Sequence, residues 1–357
     1  MTKQLFLLIL ATILSMTSCQ ARGLVDLTEP APIMASTPTT LPALPSTPIT
    51  FPTCLVNHSV PIAFMPDNIR MVFRADSGVQ VINLQTMQQE NYLEAPGKLT
   101  PAITLSPDGE ILAWALEDNT IQLFRMTDKK RLHTLVGNTD RITRLKFSPK
   151  GDKFFSASQD SWVRVWDSNG NQIQAFQPTG SDNIPSAVLG MGISPDGTLL
   201  ATIPSDGPVK LWNTADYKLE RELGGSGGYE TSDVAFSADG QMMAADLATG
   251  LFLWRITDGT ELLGSEPGIN SLAVIFSPDG RILAYSELGE RNAIVLSSTD
   301  GTRRIRTLEG LQAPVWGLIF SPDSTLLAST DDVEIRIWRV EDGRLLLTWK
   351  NECPREK

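Results

Sequence analysis

Few side chains in this sequence could carry out catalysis. The chain contains two histidines, His58 and His133, and neither lies in a motif with a nucleophilic Ser or Cys. Its one match to Gly-x-Ser-x-Gly is a glycine-rich run, Gly224 to Gly228, which no helical pattern follows and which has the composition of a flexible loop. The sequence contains no pair of zinc ligands at a recognisable spacing and no phosphate-binding glycine loop. We therefore expect no catalytic residue, no metal, no cofactor and no enzymatic activity.

The cysteines indicate a different kind of chemistry. The first of the three, Cys19, follows Lys3 and an apolar run of 12 residues, Leu5 to Met16. This is the pattern of an export signal, and the run is too short to span a bilayer. The tetrapeptide that ends at Cys19, Met-Thr-Ser-Cys, resembles the bacterial lipobox. The resemblance implies a lipid on Cys19 and a membrane-anchored, extracytoplasmic protein; an ordinary secretory signal is the alternative.

The segment after Cys19 has the composition of a tether. Seven prolines between residues 20 and 53 lie among many Thr, Ser and Ala, with no repeating apolar period. Proline fixes φ and lacks an amide donor, so such a segment favours extended, solvated conformations. The predicted organisation is a signal peptide over 1–18, a linker over 19–53, a repeat domain over 54–353 and a tail over 354–357.

The net charge argues against one class of partner. The formal charge is −11 and the sequence pI is near 4.8. A polyanion such as DNA or RNA would be repelled over most of this surface. We expect no nucleic acid among the partners.

From about residue 59 to residue 349 the chain repeats itself. A tight-turn tetrad, mostly Ser-Pro-Asp-Gly, occurs seven times, and an apolar strand precedes and follows it. A third strand alternates apolar and polar residues, as in Val163–Asp167, and a fourth strand follows most of them. The third strands end at successive spacings of 42, 42, 46, 42, 42 and 42 residues, on Ile82, Phe124, Trp166, Trp212, Trp254, Leu296 and Trp338.

Four short strands in a unit of this length are typical of a propeller blade, and endings such as Trp166-Asp167 resemble the WD repeat. The resemblance implies an all-β, seven-bladed β-propeller in which each blade is a four-stranded antiparallel sheet. It also implies structural roles between the blades for four tryptophans: Trp166, Trp212, Trp254 and Trp338.

The WD family carries an Asp six residues before that Trp. The Asp joins a hydrogen-bonded set with the Trp, a Ser or Thr of the second strand and a His from a Gly-His pair. The matching positions, which the resemblance implies to be structural, are Asp76, Asp118, Asp160, Asp206 and Asp332. The His is absent, and the nearest match to the pair is Gly137-Asn138. We expect this network to be incomplete or filled differently.

The ends of the repeat domain carry the other two cysteines. Each blade reads as complete, so we expect no strand to be exchanged between the first and last blades. By comparison with the connection between blades two and three, Cys54 and Cys353 map to positions two residues apart. We therefore expect a Cys54–Cys353 disulfide that closes the ring in an oxidising compartment. Two free thiols are the alternative.

The resemblance places partner binding at the axial mouth of the propeller. Near the starts of the first strands and in the adjoining loops, the candidate anchors are Arg141, Trp162, Leu189, Leu272 and Trp316. The alternative is that these side chains are buried between blades.

These features favour a monomeric, non-catalytic scaffold that binds a protein or peptide. Two other functions stay open. A propeller enzyme, such as a hydrolase or a quinone-cofactor dehydrogenase, could build its site from scattered loop residues. A sensory ectodomain could act with a membrane receptor.

Overall fold

The computed structural model describes residues 49–50, 61–75, 78–94, 99–178, 184–225, 227, 233–264, 271–289, 292–331 and 334–350, all within one compact unit that spans 42–357. This part of the chain is all-β and forms seven sheets from 29 strands. The predicted seven-bladed propeller with four antiparallel strands per blade is confirmed. Within the described ranges, no helix has the length and hydropathy needed to cross a membrane.

The strands follow one order in every blade, from the inner strand to the outer strand. A short strand, β1 (Ile49–Thr50), precedes them. Blade 1 contains β2 (Pro61–Phe64), β3 (Arg70–Ala75), β4 (Gly78–Asn83) and β5 (Gln88–Glu94). Blade 2 contains β6 (Leu99–Leu105), β7 (Ile111–Leu116), β8 (Ile121–Arg125) and β9 (Arg131–Leu135). Blade 3 contains β10 (Ile142–Phe147), β11 (Lys153–Ser158), β12 (Val163–Asp167) and β13 (Gln172–Phe176). Blade 4 contains β14 (Val188–Ile193), β15 (Leu199–Pro204), β16 (Val209–Asn213) and β17 (Leu219–Leu223).

The last three blades repeat the arrangement. Blade 5 contains β18 (Val234–Phe236), β19 (Met242–Leu247), β20 (Gly250–Arg255) and β21 (Glu261–Leu263). Blade 6 contains β22 (Val274–Phe276), β23 (Ile282–Glu287), β24 (Ala293–Ser298) and β25 (Arg304–Leu308). Blade 7 contains β26 (Gly317–Phe320), β27 (Leu326–Thr330), β28 (Glu334–Arg339) and β29 (Leu345–Lys350).

The core lies between neighbouring blades. Trp166 of blade 3 is 2% exposed and packs with Ala113 and Leu123 of blade 2. Trp254 of blade 5 is fully buried against Ile203 and Leu211 of blade 4. Because each blade is apolar on both faces, it can bury that surface only against two neighbours, and a closed ring satisfies every blade at once.

The propeller has two different ends. The end that carries the connections between first and second strands, and between third and fourth strands, is called the turn face here. The other end carries the second-to-third strand turns and the connections between blades, and is called the loop face. On the turn face the repeated tetrads cap themselves: in blade 6, Ser277 Oγ donates to Asp279 Oδ1 at 2.6 Å, and that oxygen also accepts from Arg281 N at 3.1 Å.

The tetrads also contact one another around the ring. Gly151 has a φ of 71°, and a Cβ there would lie 3.7 Å from Cδ of Pro107 in the preceding turn. Where blade 7 has Ser324 in place of glycine, with a φ of 61°, its Oγ accepts from Asp279 N of blade 6 at 2.9 Å. The fourth residue of a turn thus contacts the turn of the blade before it.

The first and last blades meet through packing. Inner strands β2 and β26 are neighbours, and the rings of Phe73 in blade 1 and Trp349 in blade 7 have centroids 5.7 Å apart. Trp349 is 2% exposed, so this contact belongs to the core. The proposed Cys54–Cys353 bond lies outside the described residues.

No exchange of strands was expected across this junction, but an added strand, which was not anticipated, lies there. Strand β1 precedes blade 1 in the chain but adds to the outer edge of blade 7, parallel to β29, with Ile49 opposite Trp349 and Thr50 opposite Lys350. Blade 7 keeps four strands of its own, so β1 is an addition and not an exchange. An outer strand presents unpaired backbone groups that an extended segment can pair with, and this needs no side-chain pattern.

Candidate functional site

The predicted anchors all lie at the loop-face end of the propeller, and they differ in burial. Arg141, Trp162, Leu272 and Trp316 are half-buried. Leu189 is only 8% exposed and lies at a register shift in β14, between Val188 and Gly190. A register shift changes which face a side chain points to, so Leu189 packs inside the blades and has little surface for a partner to contact.

The missing His of blade 3 is replaced by two residues. Trp166 Nε1 donates to Ser156 Oγ at 3.0 Å, and Ser156 Oγ donates to Asn138 Oδ1 at 3.4 Å. Arg164 Nη1 donates to the same Asn138 oxygen at 3.0 Å and lies 2.9 Å from Asp160 Oδ2. Asn138 and Arg164 therefore connect Ser156 to Asp160, and the network expected to be filled differently is continuous.

This network also holds the loop-face end of blade 3. The side chain of Asp160 is 6% exposed and accepts from Thr139 N at 2.8 Å and from Trp162 N at 3.0 Å. In addition, Gln159 N donates to Arg141 O at 2.9 Å. The connection that enters blade 3 and its second-to-third strand turn are thus hydrogen-bonded to each other.

Trp162 contacts this network through its backbone N–H and its ring. The guanidinium carbon of Arg164 lies 6.0 Å from the centroid of the Trp162 ring, at the outer limit of a cation–π contact. Arg164 is itself held by Asn138 and Asp160. The partly exposed Trp162 ring therefore lies beside a buried cation.

The other three predicted structural tryptophans differ in whether the indole N–H has an acceptor. Trp212 Nε1 donates to Thr202 Oγ1 at 2.9 Å and Trp338 Nε1 donates to Ser329 Oγ at 2.8 Å. Among the described residues Trp254 Nε1 has no acceptor, since Ala245 stands where these blades have a hydroxyl.

The aligned aspartates also differ. Asp118 and Asp206 are exposed, and they accept from Thr120 and Ser186 without joining a Trp network. Asp76 and Asp332 lie outside the described residues.

A second buried charged set occurs in blade 7, and sequence reasoning missed it. Arg336 Nη2 lies 2.5 Å from Glu334 Oε2, and Arg336 Nη1 lies 3.8 Å from Asp331 Oδ2. All three side chains are at most 8% exposed. The signal was present in the sequence, because a basic residue stands two positions before the strand-three Trp at Arg164, Lys210 and Arg336.

Charges also connect blades on the inner strands. Lys146 Nζ of blade 3 lies 3.6 Å from Asp233 Oδ1 of blade 5, on the far side of blade 4. Blade 4 has Gly190 and Gly192 on its inner strand, and a Cβ at Gly192 would approach Val234 O to 2.8 Å. Glycine here permits the close approach of neighbouring inner strands.

Beside this ion pair lies a fully buried acid. Asp246 Oδ1 accepts from Asp233 N at 2.5 Å, and burial raises the pKa of the Asp246 carboxyl well above its usual value.

The rim of the loop face carries free negative charge. Asp118, Asp140 and Asp206, on or beside blades 2, 3 and 4, are exposed, and none of them forms an ion pair within the described part of the chain. In that same part, no group of three or more His, Cys, Asp or Glu side chains could hold a metal ion. The loop face therefore presents the partly exposed Trp162 ring and the exposed carboxylates of Asp118, Asp140 and Asp206.

Comparison with known proteins assigns the repeat. The family model for the WD domain, G-beta repeat, matches residues 129–167 and 302–339. This chain contains WD40 repeats. Each matched WD40 unit runs from the outer strand of one blade through the first three strands of the next, β9–β12 and β25–β28. These two units carry the buried Arg164 and Arg336 sets.

Three WD-repeat proteins show the extent of the similarity. WD repeat-containing protein SL1-17 of Schistosoma mansoni is 28% identical over 195 residues, 54% of this chain and 63% of that protein. A WD repeat-containing protein of Synechocystis sp., sll1491, is 32% identical over 133 residues, 37% of this chain and 36% of its own. VIP3 of Arabidopsis thaliana is 29% identical over 206 residues, 57% of this chain and 54% of its own. The chain thus spans less than two thirds of each of these relatives.

Proposed function

We propose that this protein is a non-catalytic scaffold that binds a protein or peptide partner at its loop face. One observation carries the proposal: Arg141, Trp162, Leu272 and Trp316 are partly exposed at that face. Tryptophan and arginine are enriched among the few residues that carry most of the binding energy of protein interfaces. WD-repeat propellers commonly bind proteins, and the similarity to WD-repeat relatives supports this assignment.

Site-specific photo-crosslinking in the producing cell tests the proposal. A photoreactive amino acid would replace Ile184, Asp140 or Asp206 on the loop face, and Lys150, Pro195 or Ala238 on the turn face as matched exposed controls. We expect the same polypeptide to be captured from loop-face positions and not from turn-face positions. Capture from the turn face alone, or equally from both faces, would contradict the proposal.

We further infer that the protein is lipid-anchored through Cys19 on the extracytoplasmic side of a cell membrane. The export-type signal and the Met-Thr-Ser-Cys tetrapeptide support this inference. About 30 residues lie between Cys19 and Ile49, and at about 3.1 Å per residue an extended tether would reach roughly 90 Å. The intact mass of the membrane-purified protein should show acylation at Cys19, and Cys19→Ser should move the protein into the soluble fraction. An unmodified Cys19 would reject the anchor.

A further inference from the structure

We infer that the partner presents a basic segment, and that one Lys or Arg side chain of this segment stacks on Trp162. The inference deepens the proposed function and rests on it. It names blade 3 as the recognition blade and a cationic peptide segment as the ligand class.

The first argument is the position of Trp162. Its backbone N–H donates to the buried Asp160, and its ring lies 6.0 Å from the guanidinium carbon of Arg164. Asn138 and Asp160 hold Arg164 in place beside the ring. The ring is half-buried, so part of it offers surface for stacking, and an indole ring binds cations better than any other aromatic side chain.

The second argument is the charge around that ring. Exposed carboxylates lie on three successive parts of the rim, with Asp118 on blade 2, Asp140 at the entry to blade 3 and Asp206 on blade 4. Each uses Oδ1 to cap a nearby loop, and within the described ranges Oδ2 of each accepts no hydrogen bond. Arg141, which follows Asp140 in the chain, opposes part of this field, but the three carboxylates outnumber it, so the rim attracts a cationic segment and repels an acidic one.

The third argument is the contrast with the turn face, which is also rich in Asp. The tetrad carboxylates there lie beside exposed prolines such as Pro195. Four outer turns hold an Asp in an ion pair, as Asp258 is with Arg255 at 3.0 Å. The half-buried aromatic ring in the described turns of that face is Tyr217, and its neighbour Asp216 forms an ion pair with Lys218 at 3.0 Å. Charge alone does not distinguish the two faces, but the combination with Trp162 does.

Two sets of variants with equal charge change isolate the rim. The test variant is Asp118→Asn, Asp140→Asn and Asp206→Asn together. The control is Asp196→Asn, Asp239→Asn and Asp323→Asn together, which removes the same number of charges from the turn face. Trp162→Ala and the conservative Trp162→Phe test the ring, and Trp316→Ala tests a second proposed binding residue on another blade.

The probe is an immobilised library of nonapeptides with Lys or Arg at three positions, matched to libraries with Glu or Gln at those positions. We expect the wild-type chain to bind the basic library best, with affinity that falls as salt rises. Trp162→Ala and the loop-face triple variant should each weaken binding about tenfold, and Trp162→Phe should retain part of it. The turn-face triple variant should change binding less than about twofold.

The outcomes separate this inference from the proposed function. Peptide binding that is lost in Trp316→Ala but favours acidic or uncharged peptides, or is indifferent to Trp162, would overturn the basic-segment inference and leave the scaffold proposal standing. Absence of binding to any library would overturn the basic-segment inference, while capture of a protein from loop-face positions in the crosslinking experiment would still uphold the scaffold proposal. Peptide binding unaffected by every loop-face variant would overturn both.

Discussion

Asn68 Oδ1 in blade 1 accepts a 2.9 Å hydrogen bond from the backbone N–H of Asp323 in blade 7. The two residues are 255 positions apart in the chain. Asn68 stands at the fourth position of its turn with a φ of 59°, where most of the other turns have glycine. The bond therefore closes the ring of turns at the junction of the first and last blades.

Asn68→Ala should destabilise the propeller by about 1–3 kcal/mol, because it removes the acceptor and places a non-glycine, non-Asn residue at positive φ. Asn68→Gly also removes the acceptor, but glycine adopts positive φ without strain. It should therefore lower the free energy of unfolding less than Asn68→Ala does. Urea unfolding of both variants measures the difference. Equal stability of all three proteins would show that the contact contributes nothing.

Arg164→Met should cost about 3–5 kcal/mol, because it leaves the Asp160 carboxylate buried without its cation. Adding Asp160→Asn should recover part of the loss, since no unpaired charge then remains. Thermal unfolding of the single and double variants measures this coupling. If the two losses simply add, the ion pair is not the cause.

Acid should weaken the fold below about pH 4. Hydrogen bonds from Thr260 and Arg255 lower the pKa of Asp258 to about 2, and Ser194 lowers the pKa of Asp196. A lowered pKa in the folded state contributes stability above the unfolded value of about 3.9, and this stability is lost as the pH falls toward the folded value. Urea unfolding between pH 2 and 7 measures the slope, which Asp258→Asn should reduce. An unchanged slope would contradict this assignment.

Asp246→Asn should stabilise the protein at pH 7. Burial raises the pKa of Asp246, with a further contribution from Asp233, while Arg144 opposes the shift. For an acid whose pKa is raised by folding, the pH dependence of stability has the opposite sign. The free energy of unfolding falls as the pH rises through the unfolded pKa toward the folded pKa. The neutral amide avoids this cost and can keep the bond from Asp233 N. We expect a gain on the order of 1 kcal/mol that disappears near pH 3.

The matched control for that experiment is Asp246→Ala, which also removes the charge but loses the acceptor for Asp233 N. It should be less stable than Asp246→Asn at every pH. If Asn and Ala behave alike, the buried hydrogen bond has no role. If Asn destabilises at pH 7, the carboxylate is favourably charged in the fold.

A Cys54–Cys353 disulfide remains a prediction, supported by the pairing of β1 with β29. Thr50 lies opposite Lys350 in two strands that run in the same direction. The cysteines follow these residues after four and three positions, respectively. Reduction, or Cys54→Ser with Cys353→Ser, should lower stability by about 2–4 kcal/mol. Alkylation of both thiols without reductant would reject the bond.

The blades could be predicted from the sequence because their signals are local. A Ser-Pro-Asp-Gly tetrad such as Ser277 to Gly280 specifies its own turn through bonds within five residues. For the blade 3 network, the sequence showed only that the family's His was missing. The residues that replace it could not be predicted, because Arg164 and Asn138 are 26 positions apart in the chain. The burial of Leu189 depends on a register shift that leaves no residue pattern. Strand β1 pairs with β29 through backbone groups alone, so no side-chain pattern predicts this pairing.

The position of β1 also has a consequence for the order of folding. Its partner β29 is the last of the described strands in the chain, 300 positions after it in the register that pairs Ile49 with Trp349. The cores between the first six blades need no residue of blade 7, but this edge pairing needs the final described strand. It therefore forms only after that strand has joined the fold, and protection of the Thr50 amide from hydrogen exchange would report this step.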